Sequence, residues 1–80
     1  MGSKTSEVVH AGFTTALDYD INGNLIYLGK ANKSASKAGA SWTIMRLTYD
    51  ASSQLTDIQW ADGDGLLNNV WNDRVTLTYS

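Results

Sequence analysis

A short pattern of leucine and tyrosine recurs along this chain at an interval of thirty residues. The copies are Leu17-Asp18-Tyr19-Asp20 leading to Leu25, Leu47-Thr48-Tyr49-Asp50 leading to Leu55, and Leu77-Thr78-Tyr79-Ser80. A Leu-x-Tyr step places alternate apolar side chains on one face of a strand, and the polar corner that follows reverses the chain. Asn22-Gly23 suits such a corner because both residues tolerate a positive φ. The pattern therefore predicts β-hairpins.

The segments around these copies extend the prediction to the whole chain. Strands are predicted over residues 15–20, 25–30, 42–50, 55–61 and 74–80. Residues 1–14 are predicted to be an N-terminal arm or frayed segment, with a short strand possible over residues 8–13, and residues 15–80 a single β-domain. The predicted fold class is all-β, a small antiparallel barrel or two-layer sandwich of five to six strands with one short helical turn.

Two connecting segments differ in composition. Residues 31–41 are nearly all Ala, Ser, Gly and Lys, so they are predicted to form a mobile surface loop. Residues 62–73 are predicted to form a compact loop that plugs one end of the fold and is capped by Asp62 or Asp64. Its apolar residues fall at helical spacing: Leu66, Leu67, Val70 and Trp71.

The repeat also predicts which side of the sheet is the core. Alternation along residues 42–50 puts Met45, Leu47 and Tyr49 in the register of the repeated residues, with Trp42 and Ile44 on the opposite face. The predicted core is Leu17, Tyr19, Leu28, Met45, Leu47, Ile58, Val75 and Leu77. The opposite face is then predicted to be an interface with other proteins, formed by Trp42, Ile44, Trp71 and Arg74.

Composition narrows the classes of function. The chain has 80 residues, a net charge of -2 and six scattered basic residues, which predicts no nucleic-acid binding. No apolar run approaches the ~20 residues of a membrane span, so no membrane association is predicted. The absence of cysteine excludes disulfides and favours a reducing compartment or an assembled particle.

Two groups of side chains in the sequence offer oxygen ligands of the kind found in calcium sites. Asp18-x-Asp20-x-Asn22-Gly23 copies the first half of a calcium loop, but Gly29 occupies the twelfth position, where the bidentate Glu belongs. The same residues form a tight turn, and that interpretation is favoured. Asp62 and Asp64 with the following asparagines offer a second set, although Asp and Asn also cap helices and turns. We predict no metal and no cofactor.

Catalytic chemistry finds little support in the residues. His10 is the single histidine, it lies in the weakly patterned N-terminal segment, and no G-x-S-x-G elbow accompanies it. The chain is therefore predicted not to be an enzyme. The competing interpretation is a small hydrolase or sugar-binding module using Asp62, Asp64 and Trp71, since aromatic side chains stack on sugars as well as filling cores and interfaces.

Two resemblances accompany these patterns. Tyr19-Asp20-Ile21-Asn22-Gly23-Asn24-Leu25 resembles the YD repeat of Rhs-type shell and teneurin proteins, which we interpret as shared turn chemistry. A longer resemblance covers residues 17–80, through YLGKA (27–31), WTIMRLTY (42–49), WADG (60–63), VWNDR (70–74) and LTYS (77–80). These segments resemble small structural-module proteins of tailed bacteriophages.

The phage resemblance implies a function without catalytic residues. It implies a structural or assembly protein of the particle, in the tail, neck, fibre or capsid-decorating layer, made in the bacterial host cytoplasm and located in the virion. The implied partners are virion proteins or further copies of the chain, since such particles are built by symmetric repetition. A small carbohydrate- or host-protein-binding module is the alternative.

Overall fold

The computed structural model describes residues 12–80, which form one open antiparallel sheet. Its strands are β1 (Phe13–Tyr19), β2 (Leu25–Asn32), β3 (Ala40–Tyr49), β4 (Leu55–Trp60) and the two-residue β5 (Asn69–Val70), followed by a single 3-10 turn, Trp71–Asp73. The sheet order is β1-β2-β3-β4, and β5 pairs with the start of β3. The all-β prediction with one short helical turn is confirmed, but the sheet does not close into a barrel.

The two hairpins use the same turn. In the first, the Asp20 Oδ1 accepts hydrogen bonds from the N–H groups of Asn22 and Asn24, each at 2.9 Å. In the second, the Asp50 Oδ1 accepts from the N–H groups of Ser52 and Gln54 at 2.9 and 3.0 Å. A carboxylate that bonds to the backbone of its own corner fixes the reversal locally, so the aspartate of each repeat specifies its hairpin.

The first turn has glycine where the second has serine. Gly23 has a φ of 85° and Ser53 a φ of 62°, so both residues occupy the left-handed region. In each hairpin the register shifts just before the tyrosine, at Asp18/Tyr19 and at Thr48/Tyr49. The repeat seen in the sequence is thus a repeat of backbone structure, including the irregularity of the ladder.

One face of the sheet, which we call the inner face, is buried by the C-terminal segment. The register aligns Ala16, Gly29 and Ile44 across β1, β2 and β3, and Ala31 pairs with Trp42 in the next row of this face. Small residues on β1 and β2 leave a shallow trough beside the larger side chains of β3. The trough accommodates aromatic rings brought to the sheet from residues 71–79.

Trp71 fills the trough at Gly29. A β-carbon at Gly29 would lie 2.5 Å from the Trp71 Cε3, closer than real β-carbons approach other atoms, and a tight 3.1 Å from the Trp42 Cε3. The two indole rings are 5.9 Å apart between centroids, and the Trp42 Nε1 donates a 2.9 Å hydrogen bond to the Ser36 carbonyl. The core is therefore an aromatic pair set against a glycine.

The predicted choice of core face is wrong. The buried core consists of Ala16, Ala31, Trp42, Ile44, Ala61, Trp71 and Tyr79, with Leu77 partly buried against it. Of the residues predicted to be core, Leu17, Tyr19, Ile58 and Val75 are exposed, while Leu28, Met45 and Leu47 are half-buried on the other side of the sheet. The predicted alternation of side chains between the two faces of the sheet is correct. The face that the C-terminal segment covers is the one opposite to the predicted core.

The structure also differs from the prediction in both loops, residues 31–41 and residues 62–73. Residues 31, 32, 40 and 41 belong to β2 and β3, and the turn between them is held by the Ser36 carbonyl and by the Lys37 carbonyl, which accepts from the Asn72 N–H at 3.1 Å. The apolar residues at helical spacing over residues 66–71 do not form a helical turn; the 3-10 turn begins only at Trp71. Leu66 and Leu67 are exposed, and Asp64 caps a turn by accepting from the Leu66 N–H.

The predictions for the two ends of the chain need smaller corrections than those for the loops. The predicted arm over residues 1–14 and the short strand over residues 8–13 lie largely outside the described residues, and β1 begins at Phe13. The predicted closing strand is reduced to residues 78–80, which pair with the end of β4 through a 2.9 Å bond from the Trp60 N–H to the Ser80 carbonyl. Val75 lies in a turn instead.

The contact at Gly29 generates a stability prediction. Gly29→Ala should lower the free energy of unfolding by about 2 kcal/mol, because the new methyl group would overlap the Trp71 ring in a packed core. Gly65→Ala is the matched control, since its β-carbon would meet its nearest atom at an ordinary 3.8 Å. Urea unfolding followed by circular dichroism measures both variants, and equal stability of the two would contradict this packing.

The paired turns generate a second prediction. Ser53→Gly should raise the free energy of unfolding by about 0.5 kcal/mol and Gly23→Ser should lower it by about 1 kcal/mol, because only glycine adopts positive φ without steric cost. The exposed 3.3 Å bond from the Asn24 Nδ2 to the Ser53 Oγ accounts for the smaller gain. Thermal unfolding of both variants tests the expected opposite signs.

Candidate interaction surface

The second face of the sheet, which we call the outer face, carries a continuous set of apolar side chains. Leu17, Leu28, Met45 and Trp60 are paired in register across β1, β2, β3 and β4, so they form one row across the whole width of the sheet. A neighbouring row pairs Leu47 with Ile58. Tyr19 follows Leu17 on the same face of β1, because side chains two apart share a face.

These side chains remain accessible to solvent. Leu17 is 50% exposed, Ile58 47%, Trp60 36% and Tyr19 54%, whereas Trp42 and Ile44 on the inner face are 1% and 0% exposed. The C-terminal segment lies against the inner face, and its aromatic rings are part of the core there. The outer face therefore has the composition of a core and the exposure of a surface, a combination that marks interaction sites.

The outer face is nearly free of charge. Alternation places the charged residues Asp18, Arg46 and Asp57 on the inner face of their strands. Lys30, paired with Thr15 and Thr43 in a polar row, is the charged side chain of the outer face among β1–β4, and it lies at one end of the apolar rows. A partner for this face therefore has to offer apolar surface rather than a charge pattern.

Of the four residues predicted to form an interface, three lie within the core and the fourth, Arg74, lies at its edge. Trp42, Ile44 and Trp71 are buried inside the chain, so their side chains do not form an accessible patch. Arg74 is half-buried and stacks over the Trp71 ring, 4.7 Å from its centroid. These residues therefore stabilise the fold, which is the role that the sequence analysis predicts for the opposite face of the sheet.

Arg74 connects the C-terminal segment to β1. Its Nε donates a 2.9 Å hydrogen bond to the Asp18 Oδ2 in a partly exposed ion pair, and its Nη1 donates to the Trp71 carbonyl at 3.3 Å. Ion pairs with this exposure contribute up to about 1 kcal/mol, so the stacking on Trp71 and the fixed geometry matter as much as the charge. Asp18 is consequently a partner of Arg74 rather than a free metal ligand.

Tyr79 closes the other end of the inner face. Its ring lies 5.8 Å from the Tyr27 ring and carries the Arg46 guanidinium 4.9 Å from its centroid, and its hydroxyl donates to the Arg74 carbonyl at 2.8 Å. Burial of the phenol, assisted by the nearby Tyr27, raises the pKa of Tyr79 to about 12. The neutral phenol is therefore the form that the folded chain stabilises.

The candidate calcium ligands serve the backbone. Asp20 forms the turn described above, which confirms the turn interpretation of that motif. Asp62 has a φ of 60°, and Asp64 bonds to the Leu66 N–H at 3.0 Å, so both residues shape the corner after β4. Across residues 12–80, no three acidic or histidine side chains come together as metal ligands would, and no helix is long and apolar enough to cross a membrane.

A cleft of about 480 Å³ lies between the two hairpin turns. Sequence reasoning did not single it out. Its lining includes Asp20, Asn24, Tyr27, Arg46 and Asp50. The cleft follows from the repeat, because two turns with the same hydrogen bonds end side by side, and it combines an aromatic ring with hydrogen-bonding groups. That combination of groups can hold a polar ligand such as a sugar.

The raised pKa of Tyr79 generates a prediction of pH dependence. A folded-state pKa above the unfolded value of 10.0 means that the contribution of this phenol to stability is complete below pH 10 and is lost as pH rises towards 12. The Tyr79→Phe variant should be less stable than the parent chain at pH 7, because the Arg74 carbonyl loses its donor.

The same variant should approach the parent in stability as the pH rises from 10 to 12. Urea unfolding over this range measures the difference between the two chains, which removes the contribution of the other ionisable groups. Tyr19→Phe, at an exposed tyrosine, is the control and should leave the pH profile unchanged. A constant difference between parent and Tyr79→Phe would contradict the assignment.

Comparison of the chain with protein-family models, with curated proteins and with solved structures finds no match.

Proposed function

We propose that this chain is a structural or assembly protein that acts through protein–protein contacts made by the outer face of its sheet. The observation that supports the proposal most directly is the apolar row Leu17, Leu28, Met45 and Trp60, which crosses all four long strands; its outer members Leu17 and Trp60 are exposed, and Leu28 and Met45 are half-buried. An apolar surface of this extent is costly to expose to water and is stabilised by burial against a partner.

The setting proposed for these contacts is a bacteriophage particle. The resemblance of residues 17–80 to structural-module proteins of tailed phages supports this setting, and the role would be that of a repeated subunit in the tail, neck, fibre or decorating layer. A module without cysteine, with a neutral apolar docking face, suits assembly in the host cytoplasm followed by incorporation into the virion.

The proposal assigns no catalysis to the chain. Three of the acidic residues considered for chemistry have other partners: Asp18 pairs with Arg74, while Asp20 and Asp64 hold turns. Trp71, the aromatic residue of the competing hydrolase or sugar-binding interpretation, is buried against Gly29 and offers no open ring to a substrate. The functional surface of this proposal is therefore a face of the sheet and not a reactive centre.

One observation favours a second candidate function. The cleft between the hairpin turns carries Tyr27, Arg46 and two aspartates, which are groups that recognise a polar ligand. A small carbohydrate- or host-protein-binding module would use this cleft rather than Trp71. Binding to a glycan panel that is lost in Arg46→Ala, while the fold is retained, would favour this candidate over assembly.

The proposed role predicts that the chain is a component of the particle. Mass spectrometry of virions purified from an infected host should find it in a stoichiometric, multi-copy amount relative to other structural proteins. Virions treated with high salt should retain it, because contacts made by an apolar, uncharged face are screened little by ions. Repeated absence from purified virions, with the chain present in infected cells, would contradict the proposal.

A further inference from the structure

We infer that a second copy of this chain packs against the outer face, so that two sheets form a face-to-face dimer. The inference deepens the proposed function by naming the partner of that face, and it rests on that function only for its biological setting. The residues that carry it are the row Leu17, Leu28, Met45 and Trp60, with Tyr19, Leu47 and Ile58 beside it.

The area of the outer face matches what a dimer requires. Four of these side chains are 36–54% exposed and the other three are half-buried, so the face presents on the order of 500 Å² of mainly apolar surface, and two copies would bury at most about 1,000 Å², the lower bound of a specific interface. The polar row at Lys30 and the turn residues around the rows would add a rim. The expected complex is therefore specific but of moderate affinity.

The charge distribution of the outer face allows a second copy of the chain to be its partner. A face that carried a strong charge of one sign would repel its own copy and attract an opposite surface. Here the single lysine of the face lies at the end of the apolar rows, and the acidic residues of the strands point to the inner face. An apolar and nearly neutral surface is complementary to itself.

The geometry of the sheet permits the pairing. Two sheets pack face to face about 10 Å apart with their strands within about 30° of each other, and apolar side chains interdigitate between them. A two-fold axis that lies between the two sheets, parallel to the strands and midway between β2 and β3, would set Leu28 of one copy opposite Met45 of the other and Leu17 opposite Trp60. The described chain supplies one layer of such a sandwich.

The test is the association state of the full-length chain and of matched variants. Sedimentation equilibrium from about 1 to 500 μM should show a reversible monomer–dimer equilibrium with a Kd on the order of 10 μM, as moderate interfaces give. Ile58→Glu should weaken the dimer at least about a hundredfold, because each interface contains the buried charge twice. Ile21→Glu is the control: the same change at a fully exposed turn residue should leave the Kd within about threefold.

A second pair of variants and a spectroscopic signal guard against misfolding of the first variant. Leu17→Lys should weaken the dimer as Ile58→Glu does, and Leu66→Lys, at an exposed leucine outside the strands, should not. Quenching of tryptophan fluorescence by acrylamide should fall as concentration rises. Trp42 and Trp71 are buried within each chain, so this signal reports Trp60.

The contrary outcomes are distinct. A chain that stays monomeric at every concentration overturns the inference. A dimer that survives both Ile58→Glu and Leu17→Lys also overturns it, because the contact then lies elsewhere, for example along the β1 edge.

The inference and the proposed function fail separately. A monomeric chain that is present in virions, and whose incorporation is lost in Ile58→Glu, would leave the outer face with another virion protein as its partner. A dimer disrupted by Ile58→Glu, in a chain absent from virions, would establish the interface and remove the particle role.

Discussion

The contact between Trp71 and Gly29 determines the rest of this structure. An indole ring can lie against β2 at this point because no β-carbon stands between the ring and the backbone. Once Trp71 is seated there, it packs on Trp42, aligns Arg74 with Asp18 and brings Tyr79 to Tyr27. The inner face is the core for this reason, and the apolar side chains of the opposite face remain exposed or half-buried.

The hairpins could be predicted from the sequence because their cause is local. Asp20 and Asp50 each bond to N–H groups two and four residues later, so the information for the reversal lies within five residues. Strand alternation was equally predictable. The choice of core face was not, because both faces of β3 are apolar and the alternation only separates the faces. That choice depends on which face the distant residues 71–79 cover.

A signal for the correct face was present in the small residues. Ala16, Gly29 and Ala31 share the inner face, and a glycine inside a strand marks a place where another group approaches closely. The positions of the large apolar residues do not reveal this face. On β1 and β2 the core residues are glycine and alanine, and the aromatic rings that fill the core come from β3 and residues 71–79. The helical spacing of residues 66–71 does not produce a helix. Asp64 fixes a turn at Leu66, and β5 pairs with β3 as a strand.

The order in which these parts can form follows from where they lie along the chain. The meander of β1 to β4 uses neighbouring segments, which close quickly, whereas the cover of the inner face joins residues near 16–46 to residues 71–79. A chain with its hairpins formed and Trp71 undocked would expose apolar side chains on both faces of a sheet whose β1 edge is unpaired in the described residues. Such a species is prone to aggregate, and docking of Trp71 buries one of its two apolar faces.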